Sequence, residues 1–291
     1  MKIAFVGIGL MGQPMTQNLI DAGFDLALWN RTADKLAAFA DHATRCQSVA
    51  EAAASAEVLI TMLENGEVVD EVLFQSQAFK QLPAGSLVID MSSIPPKTAR
   101  KHALLCEAQG LRYLDAPVSG GTVGAKQANL SIMVGGEATV FEGAQAVFSA
   151  LGNATYIGPA GSGQLAKLAN QAIVGITIGA VSEALLLAAE GGANPVAVRE
   201  ALLGGFANSR ILELHGQRML DSNFTPGATS RVQLKDLRTI LNEANEHNLT
   251  LPLSQRTYES YLGMIANGHE GLDHSGLLVE LEHLNNTRLI K

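Results

Sequence analysis

Through the first half of the chain, short β-branched and aliphatic runs alternate with segments of helical spacing. Lys2–Val6, Leu26–Trp29, Val58–Met62, Leu87–Asp90 and Leu130–Val134 read as strands. Between them Pro14–Ala22, Ala33–Ala40 and Pro96–Gln109 have the spacing and composition of helices, and the alanine-rich Ala50–Ala56 is another good helix former. This order predicts a doubly wound parallel sheet with crossover helices, punctuated by turns at Gly120–Gly121 and Gly135–Gly136. The pattern changes after the turn-rich Gly158–Gly163, where a helical run extends to about Glu190 and stops at Gly191–Gly192. Beyond it Pro195–Leu203, Ser209–Leu220, Leu234–His247, Leu253–Gly268 and Leu277–Leu284 predict further helices. The expected architecture is an α/β domain over residues 1–160 and an all-α domain over residues 161–291, joined by a long helix.

Composition narrows this picture. A chain of 291 residues with 47% hydrophobic content can build one large or two ordinary cores. Its formal charge of −8 lacks the basic excess needed to neutralise many phosphates, so nucleic acid is not an expected partner. Cys46 and Cys106 offer neither a disulfide framework nor a CxxC motif, which fits a reducing, cytoplasmic setting. The apolar start from Ile3 to Met11 carries two glycines, with a third following at Gly12, and no small-residue cleavage site, unlike a signal peptide. Ala172–Ala189 is apolar enough to resemble a membrane span, but Glu183 near its middle would cost about 2.5–3.5 kcal/mol there. A helix buried in a core or a subunit interface is the expectation, with no membrane partner.

Gly7-Ile8-Gly9-Leu10-Met11-Gly12 follows a predicted strand and opens a predicted helix, the context that gives a GxGxxG pattern meaning. Gly7 permits the tight turn, Gly9 lets backbone approach a pyrophosphate, and Gly12 lets helix and sheet pack closely. The helix N-terminus, with Leu10 and Met11 in the turn, presents unpaired N–H groups to phosphate. At the end of the second strand, where NAD sites place a carboxylate on the ribose 2′-OH, the chain has Asn30-Arg31-Thr32. A guanidinium and a hydroxyl with no carboxylate favour the 2′-phosphate of NADP(H), with NAD(H) possible.

Two further motifs carry chemistry. In Asp115-Ala116-Pro117-Val118-Ser119-Gly120-Gly121, bare backbone and the Ser119 hydroxyl could hold a substrate carboxylate, and an ordinary turn stays open. In Gly161–Gln171, Lys167, Asn170 and Gln171 fall at i, i+3 and i+4 on one face of the long helix. A lysine near a helix N-terminus is electrostatically disfavoured and readied to give up a proton, though these residues alone leave a solvated surface lysine open. No metal is needed, and no compact His/Cys/carboxylate ligand cluster is visible to bind one.

Taken together, GxGxxG, DAPVSGG, GxGxxxKxxN and Leu234-Lys235-Asp236-Leu237 resemble the β-hydroxyacid dehydrogenase family over the whole chain. That resemblance implies a Rossmann-type NADP-binding domain followed by an all-helical domain for substrate binding and oligomerisation, with the active site in the cleft between them. Lys167 would be catalytic. Ser119, Gly120, Gly121, Asn170, Gln171 and Asp236 would hold the substrate; Met62, Leu63, Ser93 and Lys235 would join the glycine turn and Asn30–Thr32 on the cofactor. Ser92-Ser93 matches the family's Ser-Thr pair, and Gln171 departs from a common Asn. The implied reaction is NADPH-dependent reduction of a small carboxylate-bearing aldehyde to a hydroxy acid, foremost 2-hydroxy-3-oxopropionate (tartronate semialdehyde) to glycerate. 3-Hydroxyisobutyrate, glyoxylate and succinic semialdehyde are alternative substrates. The rivals are a 6-phosphogluconate-type dehydrogenase, an imine reductase, and a nucleotide-sensing protein without turnover. A homodimer or homotetramer is also implied.

Overall fold

Aliphatic runs that can be covered on both faces become the central strands of the first unit. In the computed structural model, which describes residues Met1–Ile290, they occur in the order β1 (Lys2–Val6), α1 (Gly12–Asp21), β2 (Asp25–Trp29), β3 (Thr44–Arg45), α2 (Val49–Ala53), β4 (Val58–Thr61), α3 (Gly66–Val69), β5 (Leu87–Asp90), α4 (Pro96–Glu107), β6 (Arg112–Asp115), β7 (Val118–Ser119), α5 (Gly121–Lys126), β8 (Leu130–Gly136), α6 (Ala138–Gly143), α7 (Gln145–Ser149) and β9 (Gly152–Gly158). Side chains alternate across the sheet. Ile3, Phe5, Leu26, Leu28, Ile60 and Ile89 enter one core, while Ala4, Val6, Ala27, Leu59 and Val88 enter the other. Each large aliphatic side chain fully buried this way contributes roughly 1.5–3 kcal/mol.

The sheet order β3-β2-β1-β4-β5-β6 is parallel throughout and reverses direction between β1 and β4. Such a switch point leaves a crevice beyond the carboxyl ends of the two strands, where ligands bind in doubly wound folds. The parallel expectation needs amendment at one side. There β8 runs antiparallel to both β6 and β7, and β9 pairs parallel to β8. Gly120 (φ 133°) and Gly121 (φ 60°) take conformations open to glycine as the chain leaves β7 and begins its return toward β8.

Four strands escape a reading by apolar runs. β3 and β7 are two residues each, β6 is bounded by Arg112 and Asp115, and β9 alternates exposed with half-buried positions at the sheet's margin. The expected helix Ala33–Ala40 is a 3₁₀ segment, Ala33–Phe39, because only Leu36 and Phe39 are buried and they stand three residues apart, one turn of that tighter helix.

The second unit is helical, as the sequence predicts. It comprises most of α8 (Ser162–Glu190), then α9 (Pro195–Leu203), α10 (Arg210–Leu220), α11 (Ser230–Glu246), α12 (Pro252–Ala266) and α13 (Leu277–Asn285). Side-chain caps fix three starts: Asn194 accepts from Val196 and Ala197 N–H, Ser209 from Leu212, and Thr229 from Val232. The Thr229 cap begins α11 at Ser230, earlier than the apolar pattern from Leu234 indicates. Ile178, Leu185, Leu212, Met219, Leu237, Tyr261 and Met264 form this unit's core. Helix α8 is long and apolar enough to cross a membrane by length and composition, with a mean hydropathy of 2.0 in its best window; 33% of that window is buried. Ile173 and Leu187 on it are exposed.

The two compact units divide between Lys167 and Leu168, inside α8, so that the first turn of this helix packs with the unit before it. The first turn of α8 belongs with the sheet because it is hydrogen-bonded to groups on β6 and beyond β5.

Candidate active site

The glycine turn after β1 separates its three glycines by function. A Cβ on Gly7 (φ 106°) would collide with the Met62 carbonyl, and a Cβ on Gly12 would collide with the Gly7 carbonyl, whereas a Cβ on Gly9 would meet nothing within 4 Å. Two glycines therefore permit close backbone packing, and the third leaves an open floor at the mouth of the switch point. The turn is braced from β2: Ile8 N–H donates to Asn30 Oδ1 (2.9 Å), and Asn30 Nδ2 donates to the Thr32 carbonyl (2.9 Å). Asn30 is thus committed to shaping the turn, while Arg31 and Thr32 beyond it are exposed. Met62 and Leu63, half-buried after β4, stand beside Gly7. Leu10 is exposed on the turn and Met11 half-buried. An open glycine floor at a helix N-terminus, braced rather than crowded by its neighbours, fits the pyrophosphate of a dinucleotide.

Beyond β5, Ser92 is fully buried and already engaged. Its Oγ accepts from Leu63 N–H (2.9 Å) and its N–H donates to Asp90 Oδ1 (2.9 Å), so it ties the loops after β4 and β5 together. Ser93, next along, is half-buried. Ser119 is half-buried at the end of β7, and Gly120 and Gly121 are exposed after it.

Helix α8 is set on this framework by two residues whose roles the motif reading missed. Asp115, at the end of β6, accepts from the N–H groups of Gly161 (2.7 Å) and Gln164 (2.9 Å), satisfying donors that a helix start leaves without partners. Gln164 faces back: its Oε1 accepts from Ile94 N–H (3.1 Å) and its Nε2 donates to the Ser92 carbonyl (2.9 Å). Glycine is required around this joint, since a Cβ on Gly135 or Gly163 would press into the Asp115 carboxylate. Burial pushes the Asp115 carboxyl up to about 6, against the two N–H bonds that favour its charged form. Lys167, buried, lies one turn after Gln164 on the same helix. The sequence marks each end separately, an acidic strand end and Gly-Ser-Gly at a helix start, but nothing in it joins the two.

In the second unit the α8 residues after Lys167 enter a polar chain. Asn170 Nδ2 donates to Gln171 Oε1 (2.9 Å), Gln171 Nε2 donates to Asp236 Oδ2 (2.5 Å), and Lys235 Nζ lies 3.1 Å from Asp236 Oδ1. Gln171 thus links α8 to α11. Gln233, a residue outside the sequence motifs, donates from Nε2 to the Gln171 carbonyl (3.1 Å). The motif residues of this unit are brought together. Chain order also hid a second cluster, His215, Asp273 and His274, whose ligand atoms lie within 4.8 Å of one another.

These features define a dinucleotide-binding α/β unit followed by a helical unit with a polar site. Two family models match the two parts of the chain, meeting just before α8: the NAD-binding domain of 6-phosphogluconate dehydrogenase matches residues 2–158, and the NAD-binding region of NADP-dependent 3-hydroxyisobutyrate dehydrogenase matches residues 161–281. The chain is 42% identical to 2-hydroxy-3-oxopropionate reductase of Escherichia coli K12, over 99% of its own length and 100% of that protein's. It is 35% identical to probable 3-hydroxyisobutyrate dehydrogenase-like 1, mitochondrial, of Arabidopsis thaliana, over 98% of this chain and 86% of the relative. Among solved structures, Mycobacterium tuberculosis 3-hydroxyisobutyrate dehydrogenase with L-serine superposes with a TM-score of 0.88 at 31% identity, covering 96% of this chain and 98% of that one. The chain belongs to the β-hydroxyacid dehydrogenase family and is a nicotinamide-dependent oxidoreductase.

Proposed function

We propose that this enzyme reduces a small carboxylate-bearing aldehyde to the corresponding hydroxy acid with NADP(H) as preferred cofactor, and that its main substrate is 2-hydroxy-3-oxopropionate, giving glycerate. The observation that carries this reading is the end-to-end 42% identity to the E. coli reductase of that substrate, coupled with a lysine fixed one turn beyond the Asp115–Gln164 joint. NADP(H) is supported by the exposed Arg31 and Thr32, and by the description of the family model that matches residues 161–281.

When bound, the nicotinamide supplies hydride transfer to and from the reacting carbon. The chain's own residues do the rest. Lys167 Nζ donates a hydrogen bond and then a proton to the aldehyde oxygen as negative charge develops on it, and in the reverse direction neutral Lys167 removes the hydroxyl proton. Ser119 and the backbone of Gly120 and Gly121 hold the substrate carboxylate, with bare backbone able to approach it closely. Asn170, Gln171 and Asp236 orient the substrate as one hydrogen-bonded chain, in which Asp236 also pairs with Lys235, the residue assigned to the cofactor. Ser93, half-buried, is assigned to the cofactor, while buried Ser92 holds the loops. The exposed apolar residues Ile173 and Leu187 on α8 support assembly into a homo-oligomer, and the cysteine-poor composition supports a cytoplasmic protein.

Initial rates with 2-hydroxy-3-oxopropionate, 3-hydroxyisobutyrate, glyoxylate and succinic semialdehyde, each with both cofactors, test the substrate assignment. Highest kcat/KM for 2-hydroxy-3-oxopropionate with NADPH is expected; preference for 3-hydroxyisobutyrate would replace it. Lys167→Ala should lower kcat by about 10²–10⁴-fold while NADPH binding, read by fluorescence, persists. Substantial residual turnover would remove the proton-donor role.

A further inference from the structure

The cluster around His215 and His274 lies apart in sequence from every residue assigned above, and its hydrogen bonds leave its two imidazoles in conflict. His215 is on α10 and His274 on the short segment before α13, both largely buried, and their Nε2 atoms stand 3.3 Å apart. One ring would have to donate an Nε2–H for this to be a hydrogen bond. A neutral imidazole carries one proton, so the donor ring must present a bare Nδ1 on its other side.

Neither Nδ1 has surroundings that suit a lone pair. His274 Nδ1 lies 3.4 Å from Gln233 Oε1, and that amide is fixed in orientation because its Nε2 donates to the Gln171 carbonyl (3.1 Å). His215 Nδ1 lies 3.6 Å from Asp273 Oδ1. Asp273 can only accept, since five donors converge on it: Gly227 N–H (2.8 Å), Ala228 N–H (3.3 Å), Ser275 N–H (3.1 Å), Ser275 Oγ (2.6 Å) and Arg218 Nη1 (3.0 Å). Both Nδ1 atoms are therefore better protonated, which turns two Nε2 lone pairs toward the same space. Burial of both rings opposes the other remedy, an imidazolium.

We propose that His215 and His274 bind one divalent transition-metal ion of the zinc type through their Nε2 atoms, with Gln233 as the outer partner of His274 and the Asp273 carboxylate facing the His215 ring. The spacing suits it: two Zn–N bonds of about 2.0–2.1 Å at a tetrahedral angle separate their nitrogens by about 3.4 Å. Metal-bound histidines ordinarily donate the other ring N–H to a carboxylate or carbonyl; here the Gln233 amide oxygen lies 3.4 Å from His274 Nδ1, and the Asp273 carboxylate faces the buried, unpartnered His215 Nδ1 at 3.6 Å, just beyond hydrogen-bond distance. Asp273 is saturated by donors and stays outside the coordination shell, and its Oδ2 neutralises Arg218, the nearby cation. Imidazole ligands select zinc, copper or nickel over magnesium and calcium. Two protein ligands, with water completing the shell on the partly exposed side of His215, set an expected Kd in the micromolar range rather than that of a closed structural site.

The test uses the full, tag-free, metal-stripped chain titrated with Zn²⁺ by calorimetry in a non-chelating buffer at neutral pH. One ion per chain with micromolar Kd is expected, weakened at least tenfold in His215→Gln and in His274→Gln. Long-range ¹H–¹⁵N spectra of the wild-type protein give an answer that needs no variant. Both rings should carry Nδ1–H, and Zn²⁺ should shift both Nε2 resonances. No saturable uptake, unchanged affinity in His215→Gln, or an Nε2–H on either ring in the presence of Zn²⁺ overturns the proposal.

Discussion

The two units build their sites from opposite materials. In the first, the nucleotide turn is made by leaving side chains out: Gly7 and Gly12 exist because any Cβ would strike a carbonyl, and Gly9 leaves a floor open. In the second, the polar chain Asn170–Gln171–Asp236–Lys235 is made by side chains reaching across from α8 to α11. The backbone site should fail when a single methyl is added, and the side-chain site should fail by degrees as length or charge is altered.

The sharpest way to break that contrast is Gly12→Ala. The new methyl meets a backbone carbonyl that cannot swing aside, so a stability loss of about 3 kcal/mol and at least a tenfold rise in the NADPH Kd are expected, read by denaturant melts and fluorescence titration. A variant that binds and melts like wild type would mean that the turn relaxes and that backbone crowding is not what selects glycine.

Asp115 tests the joint that holds the first turn of α8. Its carboxyl is raised by burial to about 6 from an ordinary 3.8, so the folded state holds this proton more tightly than the unfolded chain between those values. Its contribution is complete below about pH 4 and falls as pH rises through 6. Asp115→Asn has no such titration. The wild-type stability advantage over the variant should shrink by up to about 3 kcal/mol between pH 4 and 7. A gap that widens with pH would reverse the assigned shift.

Arg31→Ala should raise the KM for NADPH about tenfold and that for NADH little, and equal effects would remove the 2′-phosphate assignment. The smallest change expected is Gln171→Asn, which keeps the amide and loses one methylene. A KM increase of a few fold, with NADPH affinity and Tm nearly unchanged, would place Gln171 on the substrate side of the site. A loss as severe as that of Gly12→Ala would erase the contrast between the units.

The same difference governs what the sequence could disclose. Backbone sites write themselves as glycine spacing, so Gly7, Gly9 and Gly12 could be assigned from six consecutive residues, and the central strands from their apolar runs. Lys167, Asn170 and Gln171 were legible as one helical face, but not their partner Asp236, which came only with the family resemblance. Asp115 and Gln164 are 49 residues apart and were invisible as a pair, because no local spacing records a bond between a strand end and a distant helix start. Strands β6 and β9 were missed for a related reason: neighbours in the sheet, not their own composition, make them strands.

Asn30 carries a last consequence, for redesign and for descent. Because both ends of its amide are spent on the turn, position 30 is not free to vary with the nucleotide. An aspartate there would keep the bond from Ile8 but set an oxygen against the Thr32 carbonyl, so the usual shortcut toward NAD would disturb the very loop it relies on. In this chain the vocabulary for changing cofactor lies at positions 31 and 32, and a switch must be spelled in two letters beyond the one that holds the page flat.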